Sequence, residues 1–466
     1  MPEAIVQTET VSGNTAERSG SIEQVRSVCS LGAIGSVLAI PRAIPITHCG
    51  PGCGNKQIGS LIGANGHQGG EISFPSTNAT EHEVIFGGTG RLQELIESTL
   101  RIVDADLFVV LTGCVSDLIG DDVAGVVGVF QDQGVPIVYA ETGGFRGNNL
   151  IGHEVVVRAI VDQFVGDYDG GRETGTVNVW SLLPWFNTFW RGDLEEIRRL
   201  LEGIGLRVNI LFGPDSGGVA EWKSIPKAQF NLVLSPWLGV ATARHLEEKY
   251  GQPFLHVPVL PIGAAATAAF LRRVVDFSGL DSEKAEAFIA REEEHYYRYL
   301  EHFAIFYAST QHRLPSKFVT VGDSAYALAV TDFAVSQLGL VPTLQIVTDN
   351  PPGEFREAIR ARFEAIATDL SFDVRFLEDG HLIHQAIRGA DLGVKKPFLF
   401  GTSWELELAA ELGAILLEVS FPANDEVVLT QSYLGYRGAL RLVETLYTSA
   451  IRPKVVPPSV HPPLNR

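Results

Sequence analysis

Short runs of β-branched and aromatic residues alternate along this chain with longer stretches of helical periodicity. Leu107–Leu111, Pro136–Ala140, Val177–Leu182, Arg207–Phe212, Leu232–Ser235 and Phe254–Val257 have the length and composition of buried strands. Phe318–Val321, Thr343–Thr348, Asp373–Leu377, Phe398–Gly401 and Ile415–Val419 continue the series. Between them, Leu92–Val103, Leu194–Ile204 and Ala325–Leu338 repeat apolar residues at helical spacing. Strands separated by helices cross over to parallel neighbours rather than fold back as hairpins. The pattern therefore predicts an α/β protein of three Rossmann-like, doubly wound domains with parallel sheets.

Two interruptions divide the pattern. Gly166–Gly175 is rich in Gly and Asp, and the charged segment Ser282–Tyr307 reads as an exposed helix broken at His312–Ser316. The expected organisation is a polar tail over residues 1–20, domains over 21–170, 171–312 and 313–452, and a Pro-rich extended tail over 453–466.

A chain of 466 residues with 45% hydrophobic residues can fill several cores. Its formal charge of −19 opposes binding to a phosphate backbone or an anionic membrane. Ser30–Ile46 comes nearest to a membrane span, but Arg42 and two prolines interrupt it. The opening MPEAIVQTET lacks the basic and apolar regions of a secretory signal. The expectation is a cytoplasmic protein with a protein partner, and neither nucleic acid nor membrane.

The four cysteines, Cys29, Cys49, Cys53 and Cys114, all lie in the first quarter of the chain. Few and clustered thiols suggest metal or redox chemistry rather than disulfides, with buried structural thiols as the alternative. Cys53 follows Gly50, Pro51 and Gly52 and opens a helical stretch. Cys114 follows the strand Leu107–Leu111 and opens another. Glycines let the backbone approach a bulky ligand, and a helix N-terminus favours a thiolate. The wide spacing matches neither a zinc ribbon nor a compact ferredoxin motif, so the fold itself must assemble any shared site.

Other groups are read as structural. His48, His67 and His82 lie near the cysteines and could bond a cluster sulfur, but each is better read as a satisfied structural histidine. Asp121 and Asp122 suit helix capping as well as acid–base work, and Gly87–Gln93 reads as a turn before a helix. Trp180, Trp185 and Trp190 read as core or interface anchors rather than a cofactor box, and Lys395 and Lys396 as a solvated pair. There is no Gly-x4-Gly-Lys-Ser/Thr phosphate loop.

CSLGA, HCGPGC, TEHEVIFGG and TGCVSDLIGDDV, followed by LPIGAAATAAFL, VTVGDSAYALAVTDFAVSQLGLVP, LFGTSWELELAAELGAILLEVSFP and QSYLGYRGALRLVETL, resemble the nitrogenase component 1 family over nearly the whole chain. That family includes dinitrogen-reducing enzymes, the cofactor-assembly scaffold, dark-operative protochlorophyllide reductase and methylthio-alkane reductase. The resemblance implies that Cys29, Cys53 and Cys114 are iron–sulfur ligands. A partner would supply three more, giving an eight-iron (8Fe–7S, P-type) cluster at the interface. It further implies an α2β2 heterotetramer with an α-type catalytic subunit, served by a homodimeric ATP-binding iron–sulfur reductase.

No cysteine follows Cys114, and SYLGYRGAL is similar to the β-type ending, so the chain is read as a β-type, electron-relaying subunit. Cys49 departs from the family pattern, as a bystander or as a fourth ligand of a four-iron (4Fe–4S) or altered cluster. GPGCGNKQ, SFPSTNATEHE and the absence of a long N-terminal extension also depart from dinitrogenase β chains. These differences favour a nitrogenase-like reductase, with C–S cleavage of small methylthio-alkanes as the leading reading. A true dinitrogenase β subunit and an assembly scaffold are the alternatives.

Overall fold

The computed structural model describes residues 22–63 and 72–452. The two expected tails and His67 lie outside the described residues. Among the described residues there are three sheets, each drawn from one contiguous stretch of chain. The first holds β1 (Ala43–His48), β2 (Leu107–Thr112) and β3 (Ile137–Ala140), in that order. The second comprises β4 (Glu173–Trp180), β5 (Arg207–Asn209), β6 (Ala228–Leu234) and β7 (Phe254–Val257), ordered β5-β4-β6-β7. The third comprises β8 (Lys317–Gly322), β9 (Val341–Val347), β10 (Val374–Phe376), β11 (Phe398–Gly401) and β12 (Ile415–Glu418), ordered β10-β9-β8-β11-β12. All strand pairs are parallel.

The strands show why the sheets are covered on both faces. In β2, Leu107, Val109 and Leu111 join the main core with Val156, Val157 and Ile160 of the helix Asn149–Ile160. Phe108 and Val110 point the other way, onto Leu92, Ile96 and Val127. In β8, Phe318 enters the main core while Val319 and Val321 meet Ile383, Ile387 and Leu408. A period of two with both sets apolar is the signature of a buried parallel strand. The main core runs through residues of all three sheets.

The structure adds one strand and adjusts others. β1 was not expected, because Pro41 and Pro45 punctuate its sequence. It lies at the edge of its sheet, where a missing N–H is tolerated. β5 stops at Asn209, and Ile210–Phe212 continue as buried chain outside the strand. β4 begins at Glu173, inside the glycine-rich interruption, and Arg207 of β5 pairs with Glu173 and bonds Thr176. The helix expected at Ser282–Tyr307 extends over Ser282–Thr310 and is not wholly exposed. Ala285, Phe288, Ile289, Glu292 and Tyr296 form a buried stripe.

The segment before Cys29 is tied to the third sheet. Arg26 meets Glu405 through two hydrogen bonds, Nη1–Oε2 at 2.9 Å and Nη2–Oε1 at 2.7 Å, with both side chains fully buried. Thr402 Oγ1 accepts from Arg26 Nη1 at 2.6 Å. The Gly380 N–H bonds Glu23 O at 2.8 Å, and Trp404 Nε1 donates to Val25 O at 3.3 Å. Burial alone would raise the Glu405 carboxyl, but His384, Arg26 and Thr402 outweigh it and hold it at about 2.

Removing one partner leaves a buried charge without its counterion, which costs about 3–5 kcal/mol. Arg26→Met is thus expected to lower the urea midpoint accordingly, and Arg26→Met with Glu405→Leu to recover much of the loss. A folded carboxyl held below its unfolded value stabilises the chain above pH about 4.5, and the contribution fades as pH falls through about 2. Urea midpoints of both variants measured from neutral to acid pH check the pair: the gap to wild type narrows on acidification.

Candidate functional site

The first sheet delivers the thiols. Chain entering from Arg26 makes an isolated antiparallel bridge between Cys29 and Asn148. The Ser30 N–H donates to Gly147 O at 2.9 Å, and the Asn149 N–H to Val28 O at 2.9 Å. Ser30 Oγ donates to Thr142 O and Gly143 O, both at 2.8 Å. Cys29 is thereby fixed to the loop that follows β3. Cys53 is the third residue of the helix Pro51–Gly63, which starts just beyond β1. Cys114 is the first residue of the helix Cys114–Ile119, which starts just beyond β2.

Gly144, in the turn after β3, stands between two of the thiols. Its N–H donates to Cys114 Sγ at 3.0 Å. A methyl group placed on Gly144 would lie 3.1 Å from Cys114 Sγ and 3.1 Å from Cys29 Cβ. Gln57, one helical turn after Cys53, donates from Nε2 to Cys29 Sγ at 3.4 Å, and its buried Oε1 has no hydrogen-bond partner. Cys29, Cys53 and Cys114 are half-buried. Burial, followed by the neighbouring Cys49, Cys114 and Cys29, pushes the Cys53 thiol up to about 11. Loss of water and the neighbouring thiols thus both work against a free thiolate at Cys53. Among the described residues no group of three or more His, Cys, Asp or Glu side chains could hold a single metal ion.

Cys49 lies deeper, with no exposed surface. Its Sγ is 3.8 Å from Ser76 Oγ, and its N–H donates to Thr77 Oγ1 at 3.1 Å. Gly113 packs against it so closely that any side chain there would overlap Cys49 Cβ. Burial raises the Cys49 thiol as well. It supports the site from behind, between the ends of β1 and β2.

The remaining candidates have structural partners. His48 is buried, with Nε2 2.8 Å from Asp121 Oδ2 and Nδ1 3.1 Å from Thr77 Oγ1. Asp121 Oδ1 also accepts from the Gly88 N–H at 2.8 Å. Asp122 caps the helix Val123–Gln131 through the Gly125 N–H at 2.8 Å. His82 is exposed and packs on Phe86. Gly87–Gln93 leads into the helix Thr89–Ile102, and Trp180, Trp185 and Trp190 are core residues. Gly144 and Gln57 went unnoticed in the sequence. The signals were the Gly143–Gly144 pair directly after a strand and the four-residue spacing from Cys53 to Gln57. Around the thiols, Phe86, Leu118 and Phe145 expose large apolar surfaces.

A family model described as nitrogenase component 1 type oxidoreductase matches residues 29–451. The chain belongs to that family. It is 25% identical to the nitrogenase molybdenum-iron protein beta chain of Clostridium pasteurianum, over 93% of this chain and 94% of that one. It is 23% identical to the corresponding beta chain of Azotobacter vinelandii, over 92% of this chain and 84% of that one. It is 26% identical to a light-independent protochlorophyllide reductase polypeptide of Synechococcus sp. (strain JA-2-3B'a(2-13)), over 80% of this chain and 73% of that one. The solved structure described as Nitrogenase Cp1 at pH 6.5 shares the fold, with a TM-score of 0.78 and 21% identity, over 94% of this chain and 95% of that one. The chain is a β-type subunit of the family and an oxidoreductase component, in agreement with the reading of its motifs. None of its described helices is long and apolar enough to cross a membrane.

A protonated, sheltered Cys53 should react slowly with alkylating reagents. A free cysteine near pKa 8.5 is roughly a quarter thiolate at pH 8, so a thiol held near 11 should be slower by roughly two-hundredfold. Timed iodoacetamide labelling of the metal-free chain, read by peptide mass spectrometry against a cysteine model peptide, checks this; an equal rate contradicts it.

Proposed function

We propose that this β-type subunit holds one half of an iron–sulfur cluster through Cys29, Cys53 and Cys114, where it meets an α-type catalytic subunit in the cytoplasm. In this reading the cluster is of the eight-iron P type, completed by three partner thiols in an α2β2 assembly, and a homodimeric ATP-binding reductase supplies its electrons. The observation that carries the proposal is the approach of half-buried Cys29 and Cys114 at Gly144, whose missing side chain leaves room beside sulfur, with half-buried Cys53 close enough to feel both thiols. The exposed apolar residues beside them suit a partner's surface. Cys49, wholly buried with its thiol against Ser76 and Cys53, is read as a supporting residue rather than a fourth ligand.

When bound, such a cluster stores and passes electrons one at a time. The chain's own groups fix its surroundings. The Gly144 N–H and the Gln57 amide place donors on two sulfurs, which favours the more reduced, more negative state. The His48–Asp121 pair holds the end of β1 to the loop after the Cys114 helix, so the thiols cannot drift apart. The raised Cys53 thiol means that ligation releases a proton from it.

For the reaction itself, we favour reductive C–S cleavage of small methylthio-alkanes over dinitrogen reduction. Two of the departures, the extra Cys49 and the segment SFPSTNATEHE, pack on each other beside the site through Ser76 and Thr77.

Cys53→Ala and Cys114→Ala should each cut the iron content of the anaerobically purified complex and abolish turnover; full activity in both would overturn the proposal. Gly144→Ala should lower iron content in part, by crowding Cys114. Gln57→Leu should retain iron while lowering the cluster's midpoint potential, read by redox titration. With reductase and ATP, a methyl thioether and dinitrogen are offered in parallel. Hydrocarbon without ammonia supports C–S cleavage, ammonia makes this a dinitrogenase, and cluster transfer to an acceptor without turnover makes it a scaffold.

A further inference from the structure

The second and third sheets each reverse their strand order once, between β4 and β6 and between β8 and β11. Ligands of open α/β sheets bind beyond the strand ends at such points. Here the strand ends face one another across a cavity of about 30 Å³, lined by residues that include Ser181, Ser235, Asp323, Ser324, Thr348 and Asp349. That is room for one ion or one or two waters.

Asp349 is 5% exposed. Its Oδ2 accepts from Ser324 Oγ at 2.6 Å and from Trp237 Nε1 at 2.9 Å, while its Oδ1 has no hydrogen-bond partner. Asp323 Oδ2 accepts from Ser420 Oγ at 2.7 Å, and its Oδ1 from the Tyr326 N–H at 3.1 Å. Arg26, the guanidinium in the cavity wall, is committed to Glu405. Two buried carboxylates thus share a small space with hydroxyl and apolar side chains, and its one cationic wall residue, Arg26, turns its terminal nitrogens to Glu405 and leaves only Nε unpaired. Burial and then repulsion from Asp323 push Asp349 up to about 6, and burial raises Asp323 too.

We propose that this cavity binds one small hard cation of the Mg²⁺ or Ca²⁺ kind, held by Asp349 and Asp323 together with hydroxyl, carbonyl and water oxygens. Hard divalent ions take oxygen ligands and accept mixed carboxylate–hydroxyl shells. Two carboxylates match a divalent charge, and the free Asp349 Oδ1 supplies the first ligand. The ion would join the ends of β8, β9, β4 and β6, locking the second sheet to the third.

Trp237 makes the site readable, because its indole bonds the Asp349 carboxylate. Tb³⁺ added to the chelator-treated full chain should give saturable, tryptophan-sensitised emission that Ca²⁺ displaces. Asp349→Asn should reduce that emission at least tenfold. Trp237→Phe should reduce it as much while keeping one Ca²⁺ per chain in equilibrium dialysis, and this second variant serves if the first does not fold. No sensitised emission in the wild type, emission undiminished by either substitution, or no bound Ca²⁺ would overturn the proposal. Iron content is measured separately, so failure here and failure of the cluster assignment are distinguishable.

Discussion

Strands β1 and β2 run in register and end at the same level, His48 opposite Thr112, and the thiol site depends on that alignment. The chain leaves β2 through Gly113, whose N–H donates to His48 O at 2.9 Å, and Ser116 Oγ donates to the same oxygen at 2.7 Å. Only glycine fits, because Cys49 occupies the place a side chain would take. β3 pairs with β2 through Leu111 and Ala140 and so brings Gly143 and Gly144 to the same level. Slipping any strand by one residue would reverse which side chains point into the core. The packing that fixes the sheet therefore also fixes the spacing of sulfur atoms that lie far apart in sequence.

That alignment also has to include the segment carrying Cys29, which belongs to no sheet. The structure secures it from both sides. Behind it, Arg26 and Glu405 form a dry ion pair whose members cannot separate without exposing a charge to the core. Ahead of it, Gly152 lets the helix Asn149–Ile160 press against the Ser30 carbonyl. Ser36 and the Nδ1 of His153, 2.8 Å apart, join the following short helix to the same element. Burial lowers His153 to a pKa of about 4, so it is neutral at physiological pH and the contact asks for no counterion. Thiols placed by rigid elements need little reorganisation to take up a bound group.

Much of this was legible in the sequence because buried parallel strands leave a strong apolar trace. β2, β7, β8 and β11 fall at or within a residue of their expected limits. β1 left a weaker trace, since an edge position lets Pro45 sit inside a strand. The cysteines were visible by type and family motif, and their convergence required the sheet. What could not be read were contacts made by backbone or by the absence of a side chain, such as the Gly144 N–H on Cys114. The pairing of Arg26 with Glu405 spans most of the chain and follows no local rule.

The geometry also bears on where chemistry takes place. In open α/β proteins the crevice at a strand-order reversal is where a ligand lies. In this chain that crevice is drawn down to about 30 Å³ by serines, aspartates and aromatic residues, too small for an organic substrate or a large cofactor. The half-buried thiols instead sit on the first sheet, at an edge flanked by exposed Phe86, Leu118 and Phe145. Thiols presented beside an apolar surface, with the crevice filled, suit the proposed site shared with another chain. The arrangement agrees with the relay role proposed above, in which this chain's groups set position and potential and bond breaking belongs to the partner.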